Sequence, residues 1–434
     1  MTEIFKPSNH QEKLLTDTRS LVIEEFFGGR VDEIHNFRVT TDNLPIPESE
    51  QAQLHQIAQL MPPFINGLGK LIQLSMIDDK LRRAHPTFRS IRRVLGLEPS
   101  FAASLVPERK TIEQDQTTET LALTTDIHLS HPFIRVDLIK HPHTGQFFIA
   151  EVEVDKLHGF GYATLCRNLS PKPPGFGLAN LAAQISRDTP TGMLLSGLER
   201  FYLPEAHYFA HQVNQLGGQL QVIFEGDYAF DRQLLQVNQL LTLPIFKGKP
   251  SIPSHLTILS QPQPALGEKS ALGIISNPSQ NPDLEQLLNL CFDSQALHEL
   301  RQVIPTTHFL SDFHSQQAKQ ELLHQINVHP ERFFVKVKNQ SGARGVAQAG
   351  DSAAQADLLR RFAKNIVIQA AIPPLWLKLP HIDLMTGYTG TDQYTLRYGL
   401  FVSHGAIMDL AITASPSTVA HGGKTSIQMG ACLV

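Results

Sequence analysis

The residues of this sequence that could carry chemistry concentrate in two short segments, and the first is an acidic hairpin. FIRVDLIK and QFFIAEVEV alternate apolar with charged residues, and the HPHTG between them is typical of a turn. Successive side chains point to opposite faces of a strand, so each strand has one polar face. If the turn is centred near Thr144, Asp137 lies opposite Glu151. Arg135 then lies opposite Glu153 on the same face.

This pairing predicts a cation site. Opposed like charges such as Asp137 and Glu151 are unfavourable unless a cation neutralises them. Hard oxygen ligands favour Mg²⁺, which proteins commonly share with substrate phosphates. Arg135 could offset part of the negative charge or bind a phosphate oxygen. The alternative is an exposed hairpin with one solvated, charged face.

The second segment is a lysine strand, RFFVKVKN, followed at once by a glycine-containing turn. Lys336 and Lys338 are two residues apart and therefore point to the same face. Glycine lets backbone N–H groups approach a phosphate closely, and a strand lysine can reach it as a point charge. The turn adds the candidates Ser341, Gly342, Arg344 and Gly345. A P-loop motif is absent from the sequence, and the alternative is an exposed edge strand protected by lysines.

The sequence patterns outside these two segments predict a mixed α/β fold. Residues 1–120 have a mainly helical pattern, interrupted by the turn formers of VDEIHNFRVTTDNLPIPE. A helical pattern is also expected over 179–201. EAHYFAHQVNQLGG and LQVIF then predict a helix followed by a buried strand, and ALGIIS predicts a further short strand. IVIQAAI, YTLRYGLFV and GAIMDLAIT read as strands near the end of the chain.

Length and composition favour an ordinary cytoplasmic protein of several domains. The chain has 434 residues, 41% of them hydrophobic, and a net charge of −4. This balance argues against nucleic acid or an anionic membrane as a partner. The sequence contains no secretory pattern and no apolar run of roughly 18 residues. Its three cysteines predict neither a disulfide framework nor a zinc site.

Together, the two segments resemble those of the ATP-grasp ligases. R-V-D at 135–137 and E-V-E at 151–153 are similar to the family's metal motif, and FVKVKNQSGARGV is similar to its lysine strand and glycine loop. The metal motif precedes the lysine strand by about 200 residues, an order that resembles the circularly permuted branch with the glutathionylspermidine synthetases. The implied fold class is α/β (α+β), ATP-grasp-like. The implied divisions are a helical 1–120, a metal-binding hairpin region 121–200, a small pre-ATP-grasp α/β domain 201–280 and a nucleotide-binding part 281–434.

The resemblance implies an ATP-dependent ligase that joins a small-molecule or peptide carboxylate to an amine through an acylphosphate, with ATP and Mg²⁺ as cofactors. Mg²⁺ would lie on Asp137, Glu151 and Glu153. The phosphates would lie on the lysine strand, with Lys338 preferred over Lys336, and on the 341–345 loop. The remaining implied roles belong to Arg135 and Arg397 as catalytic residues and to Gln369 at the adenine hinge.

Two departures from the family pattern leave alternatives open. Glu153 stands where the family usually has Asn, and Gln369 lies near the position of the usual hinge Glu. A non-catalytic nucleotide-binding protein on the same scaffold is therefore one alternative, and a phosphotransferase is another. Glu225 is interpreted as a strand-end turn carboxylate, and His207 and His211 as a solvated helix face.

Overall fold

The computed structural model describes residues 9–30, 37–75, 86–97, 133–154, 158–170, 178–185, 189–242, 253, 255–259, 265–276, 281–309, 316–338, 345–362, 365–418 and 425–434. Over these segments, helices pack against three β-sheets in a mixed α/β arrangement. No helix within them is both long and apolar enough to cross a membrane.

The largest sheet draws its strands from both ends of the sequence. Its seven described strands are β1 (Arg38–Ile46), β2 (Ile134–Lys140), β3 (Phe147–Glu153), β12 (Trp376–Asp383), β13 (Thr389–Ser403), β14 (Ala406–Ser415) and β15 (Ile427–Leu433). They lie in the order β12-β1-β15-β14-β13-β2-β3, and β12 also pairs with β13. The acidic hairpin, β2 and β3, therefore lies at one edge of this sheet, directly beside the long strand β13.

Strand β1 corrects the expectation that only turn formers interrupt the helices of the first 120 residues. It runs parallel to β15 over most of its length and pairs with β12 only at Arg38 and Val39. Pro45 lies beyond the β12 pairing, where its missing N–H is tolerated. The pairing partners come from the far end of the chain, so the local sequence carries little sign of this strand.

The first helices form the core with the large sheet. They are α1 (Asn9–Phe27), α2 (Glu48–Leu74) and α3 (Pro86–Val94). Helix α2 packs against β13 and β14, and against α9 (Pro282–Cys291) and α10 (Ser294–Val303). Gly67 allows this close approach, because a Cβ there would lie 2.3 Å from the ring of Phe292. Helix α4 (Phe160–Asn168) packs against β14 and β15.

The second sheet carries the lysine strand. Its four described strands are β8 (Thr307–Phe309), β9 (Phe333–Val337), β10 (Val346–Ala347) and β11 (Ile366–Ala370), in the order β10-β9-β11-β8. Helices α11 (Gln316–Val328) and α12 (Ser352–Phe362) accompany it. The expected strands RFFVKVKN and IVIQAAI are thus neighbours, and β9 is an internal strand of this sheet.

The third sheet is parallel and forms a small α/β unit. Its described strands are β4 (Thr191–Leu195), β5 (Leu220–Phe224), β6 (Gln239–Thr242) and β7 (Thr257–Ile258), in the order β5-β4-β6-β7. The helices near it are α5 (Leu178–Gln184), α6 (Leu203–Gln215) and α7 (Phe230–Leu234), and the 3₁₀ helix Gly197–Tyr202 follows β4. The predicted helix EAHYFAHQVNQLGG and strand LQVIF are confirmed as α6 and β5.

Two predictions of secondary structure were wrong in this region. The helical pattern over 179–201 breaks at the central strand β4, and ALGIIS lies in a helix, α8 (Lys269–Ser276). Strand β4 and residues 271–275 of α8 are short, mainly apolar runs that are buried throughout. Periodicity does not separate a buried strand from a buried helix in runs of this length, because a run buried on all sides shows no polar face of either period.

Candidate functional site

The acidic hairpin has the register that the sequence predicts. Asp137 pairs with Glu151 and Arg135 pairs with Glu153, and a bulge lies between Asp137 and Leu138. One oxygen from each of the three carboxylates lies within 4.8 Å of the others. In the described part of the chain this is the group of acidic, His or Cys residues that could hold a metal ion.

Two arginines from neighbouring strands hold the buried carboxylate of Asp137. Arg135 donates from Nε to Asp137 Oδ1 at 2.9 Å and from Nη2 to Asp137 Oδ2 at 3.2 Å. Arg397, on β13, donates from Nη1 to Asp137 Oδ2 at 3.1 Å. Arg135 Nη2 also lies 2.8 Å from Glu153 Oε1. Burial would raise the pKa of Asp137, but the two arginines lower it below its usual value.

A third cation, Lys269, belongs to the cluster, and the sequence pattern does not predict it. It lies at the start of α8, is buried, and its Nζ lies 2.7 Å from Glu151 Oε1. Burial alone would lower the pKa of Lys269, but Glu151 raises it above its usual value. The run ALGIIS, which follows Lys269 in this helix, predicts a strand, and no local motif marks the lysine. The carboxylates Asp137, Glu151 and Glu153 therefore face an equal number of cations, Arg135, Arg397 and Lys269.

The lysine strand meets the acidic hairpin through Lys336. Its Nζ donates to the backbone oxygen of Ala150 at 3.2 Å and to Gln369 Oε1 at 2.6 Å. Ala150 lies on β3 beside Glu151, so this contact joins two sheets that are far apart in sequence. Burial lowers the pKa of Lys336 to about 8, although Glu151 acts in the opposite direction.

Lys338 has different surroundings. It is buried, and its Nζ donates to the backbone oxygen of Val94 at 3.1 Å. Burial lowers the pKa of Lys338, and the nearby Glu268 partly offsets this. Of the two lysines of this strand, Lys336 thus contacts the acidic hairpin and Lys338 does not, whereas the sequence favours Lys338 as the phosphate lysine.

The glycine turn after β9 is described only at its end. Gly345 has a φ of +66°, a conformation that favours glycine, and its carbonyl accepts from Val337 N at 2.7 Å. Ser341, Gly342 and Arg344 lie outside the described residues. Gln369, on β11, is buried and donates from Nε2 to Thr307 Oγ1 at 3.3 Å.

An imidazole–carboxylate pair, His158 and Glu199, lies on the other side of Arg135. The sequence pattern does not predict this pair. His158 Nε2 lies 2.9 Å from Glu199 Oε1, and its ring stacks on Tyr202 with centroids 3.7 Å apart. The backbone oxygen of His158 accepts from Arg135 Nη1 at 2.6 Å. The next residue, Gly159, donates its N–H to the buried carboxyl group of Glu205 at 3.0 Å. Glu199 and Glu205 come from the small α/β unit, so these contacts join it to the acidic hairpin.

The remaining candidates are structural where they are described. Glu225 Oε2 accepts from Gly197 N at 2.7 Å and joins the ends of two parallel strands, which confirms its interpretation as a strand-end carboxylate. His211 bonds Gln215 within α6. Cys166 and Cys291 are buried, and all three cysteines are free.

Comparison with known proteins supports the fold. No protein-family model matches the sequence, and no curated protein matches it. Among solved structures, the glutathione synthetase-like effector from Globodera pallida, in its apo form, is 11% identical with a TM-score of 0.53, covering 100% of this chain and 99% of that one. The "Putative gamma-glutamylcysteine synthetase" from Methylobacillus flagellatus is 14% identical with a TM-score of 0.34, covering 68% of this chain and 77% of that one. The chain therefore has the mixed α/β, ATP-grasp-like fold that its sequence predicts, similar to that of a glutathione synthetase-like protein.

Proposed function

We propose that this protein is an ATP-dependent ligase of the circularly permuted ATP-grasp kind that joins a carboxylate to an amine and releases ADP and phosphate. The observation that carries the proposal is the contact of Lys336 with the backbone of Ala150. It brings the lysine strand, which the resemblance assigns to the phosphates, against the acidic hairpin, which it assigns to the metal. These are the two charged surfaces that phosphoryl transfer needs, because positioning and charge neutralisation dominate that reaction.

The acidic cluster fits Mg²⁺ in its ligand chemistry. Asp137, Glu151 and Glu153 offer carboxylate oxygens within 4.8 Å of one another, and magnesium prefers such oxygens. When bound there, Mg²⁺ would reduce the negative charge that the phosphates of ATP bring. The charge of Glu153, where the family usually has Asn, is matched by its ion pair with Arg135.

The cations of the cluster suggest how the chain receives a nucleotide. Arg397 and Lys269 neutralise carboxylates in the structure, and Lys336 donates to neutral oxygens. We expect all three to bind phosphate oxygens once a cation takes over the carboxylates. The substrate carboxylate would then attack the γ-phosphate to form an acylphosphate, and the amine would displace phosphate from it. Lys338, the 341–345 loop and Gln369 are proposed to contact the rest of the nucleotide.

Release of ADP tests the proposal directly. The protein is incubated with ATP, Mg²⁺ and a panel of free amino acids and dipeptides, with hydroxylamine as the amine, and both ADP and hydroxamate are measured. We expect equal amounts of ADP and hydroxamate with at least one acid. Asp137→Asn should abolish both, because it removes the carboxylate that two arginines and the metal share. Wild-type protein that forms neither product, or a fully active Asp137→Asn variant, would refute the ligase.

A second candidate is a non-catalytic nucleotide-binding protein. The observation in its favour is that each carboxylate of the cluster already has a cation from the chain as its partner: Asp137 has Arg135 and Arg397, Glu153 has Arg135, and Glu151 has Lys269. Such a site is balanced without a divalent ion. Under this function, ATP would raise the melting temperature equally with Mg²⁺ and with EDTA, and no ADP would form.

A further inference from the structure

The pair formed by His158 and Glu199 has the parts of a general base. Glu199 Oε1 lies 2.9 Å from His158 Nε2. Its other oxygen accepts from Ser196 N at 2.7 Å and from Ser196 Oγ at 2.9 Å, as the capping box of the 3₁₀ helix. Burial would raise the pKa of Glu199, but the hydrogen bonds from His158 and Ser196 hold it below its usual value. Glu199 is therefore an ionised acceptor, fixed in position by the end of β4.

An ionised acceptor sets the tautomer of the imidazole. With Glu199 accepting at Nε2, the proton of neutral His158 lies on Nε2 and the lone pair lies on Nδ1. Among the described residues Nδ1 has no hydrogen-bond partner, and the side chain of His158 is 15% exposed. A carboxylate on one ring nitrogen and an open lone pair on the other is the arrangement that orients a catalytic histidine.

The pair is also tied to the acidic cluster. Arg135 Nη1 donates to the backbone oxygen of His158, while Nη2 of the same guanidinium lies against Glu153. On the other side, the ring of Tyr202 stacks on the imidazole with an interplanar angle of 4°. Gly159 follows with a φ of +110°, and its N–H is held by Glu205. Through its backbone oxygen, His158 is therefore linked by one arginine to the residues assigned to the metal and phosphates.

We propose that His158 is the base that takes the proton from the attacking amine, with Glu199 as its positioning residue. This inference rests on the proposed ligase function. The nitrogen lone pair of the amine attacks the acylphosphate carbon, the C–N bond forms and the bond to the phosphate oxygen breaks. Phosphate leaves with that electron pair and takes up the proton that the nitrogen then loses. Before the attack, the proton of an ammonium substrate passes to His158 Nδ1, which frees the lone pair. The phosphoryl-transfer step uses Arg135, Arg397 and Lys269, and the amide-forming step uses His158.

The choice of amine separates this role from a structural one. At pH 7.5 hydroxylamine is largely unprotonated and needs little help from a base, whereas ethylamine is largely protonated and needs a base. His158→Gln retains a side-chain amide that can bond Glu199 but has no basic nitrogen. We expect it to lower the rate with ethylamine by about 100-fold or more while hydroxamate formation stays within about 3-fold of wild type. Glu199→Gln should lower the ethylamine rate by about 10-fold with the same selectivity.

Controls keep each outcome interpretable. His143→Gln changes an exposed histidine in the turn of the acidic hairpin and should leave both rates unchanged. His158→Asn, checked for folding by circular dichroism, replaces His158→Gln if that variant does not fold. Equal losses with both amines, or no loss with either, would overturn the role of His158 and leave the ligase intact. A wild-type protein that makes no hydroxamate with any acid refutes the ligase, and the base with it.

Discussion

The buried carboxyl of Glu205 should make the stability of this protein depend on pH in a defined direction. Glu205 is 2% exposed, and burial raises its pKa from 4.5 to about 8, against the opposing effects of the Gly159 N–H and Arg135. Between these two pH values the folded state keeps a proton that the unfolded state releases. The free energy of unfolding should therefore fall as the pH rises through this range.

The size of the effect follows from the two pKa values. A change from 4.5 to about 8 corresponds to on the order of 4–5 kcal/mol in full. Between pH 5 and pH 7.5 the Glu205 contribution should fall by about 3 kcal/mol. Glu205→Gln is neutral at every pH and keeps an oxygen to accept from Gly159. The variant should therefore lack this fall. The free energy of unfolding of the variant minus that of wild type should thus increase by about 3 kcal/mol from pH 5 to pH 7.5.

Urea unfolding followed by far-UV circular dichroism at the two pH values measures this difference. The comparison of wild type with variant cancels the other titrating groups, because they are common to both proteins. Glu12→Gln, which changes an exposed glutamate in α1, is the matched control and should show no such pH dependence. A difference between wild type and Glu205→Gln that is the same at pH 5 and pH 7.5 would refute the reasoning.

Two further predictions concern the lysine strand and a close helix contact. Lys336→Met should weaken ATP binding by about 10-fold or more in isothermal titration, because a charge-assisted bond to phosphate is lost. Lys338→Met should weaken it less, since that ammonium is held by Val94, and the opposite ranking would contradict our placement of the phosphates. Gly161→Ala should lower the free energy of unfolding by about 1–3 kcal/mol, because the new Cβ would lie 2.3 Å from a backbone oxygen in α6. Gly399→Ala, where the nearest atom is 3.5 Å away, should change it by less than about 1 kcal/mol, and equal effects would contradict the packing argument.

Physical constraints that act over a few residues explain what could be predicted in the site. A short turn and side chains that alternate between the two faces of a strand are enough to predict two cross-strand pairs. These pairs are Asp137 with Glu151 and Arg135 with Glu153. The same alternation predicted that Lys336 and Lys338 share a face. It did not reveal which lysine lies closer to the acidic hairpin, because that depends on how β9 lies across β3.

By itself, the sequence determined the α/β class, the acidic hairpin with its register, and the lysine strand, since each depends on local alternation and turn chemistry. Only the tertiary structure placed β1 inside the large sheet, turned ALGIIS into a helix, and brought Lys269 to Glu151 and His158 to Glu199. These features depend on contacts between residues distant along the chain. A buried apolar run or a single charged residue has no local periodicity that indicates which distant residue it contacts. These contacts are therefore known only from the packing of the sheets and helices.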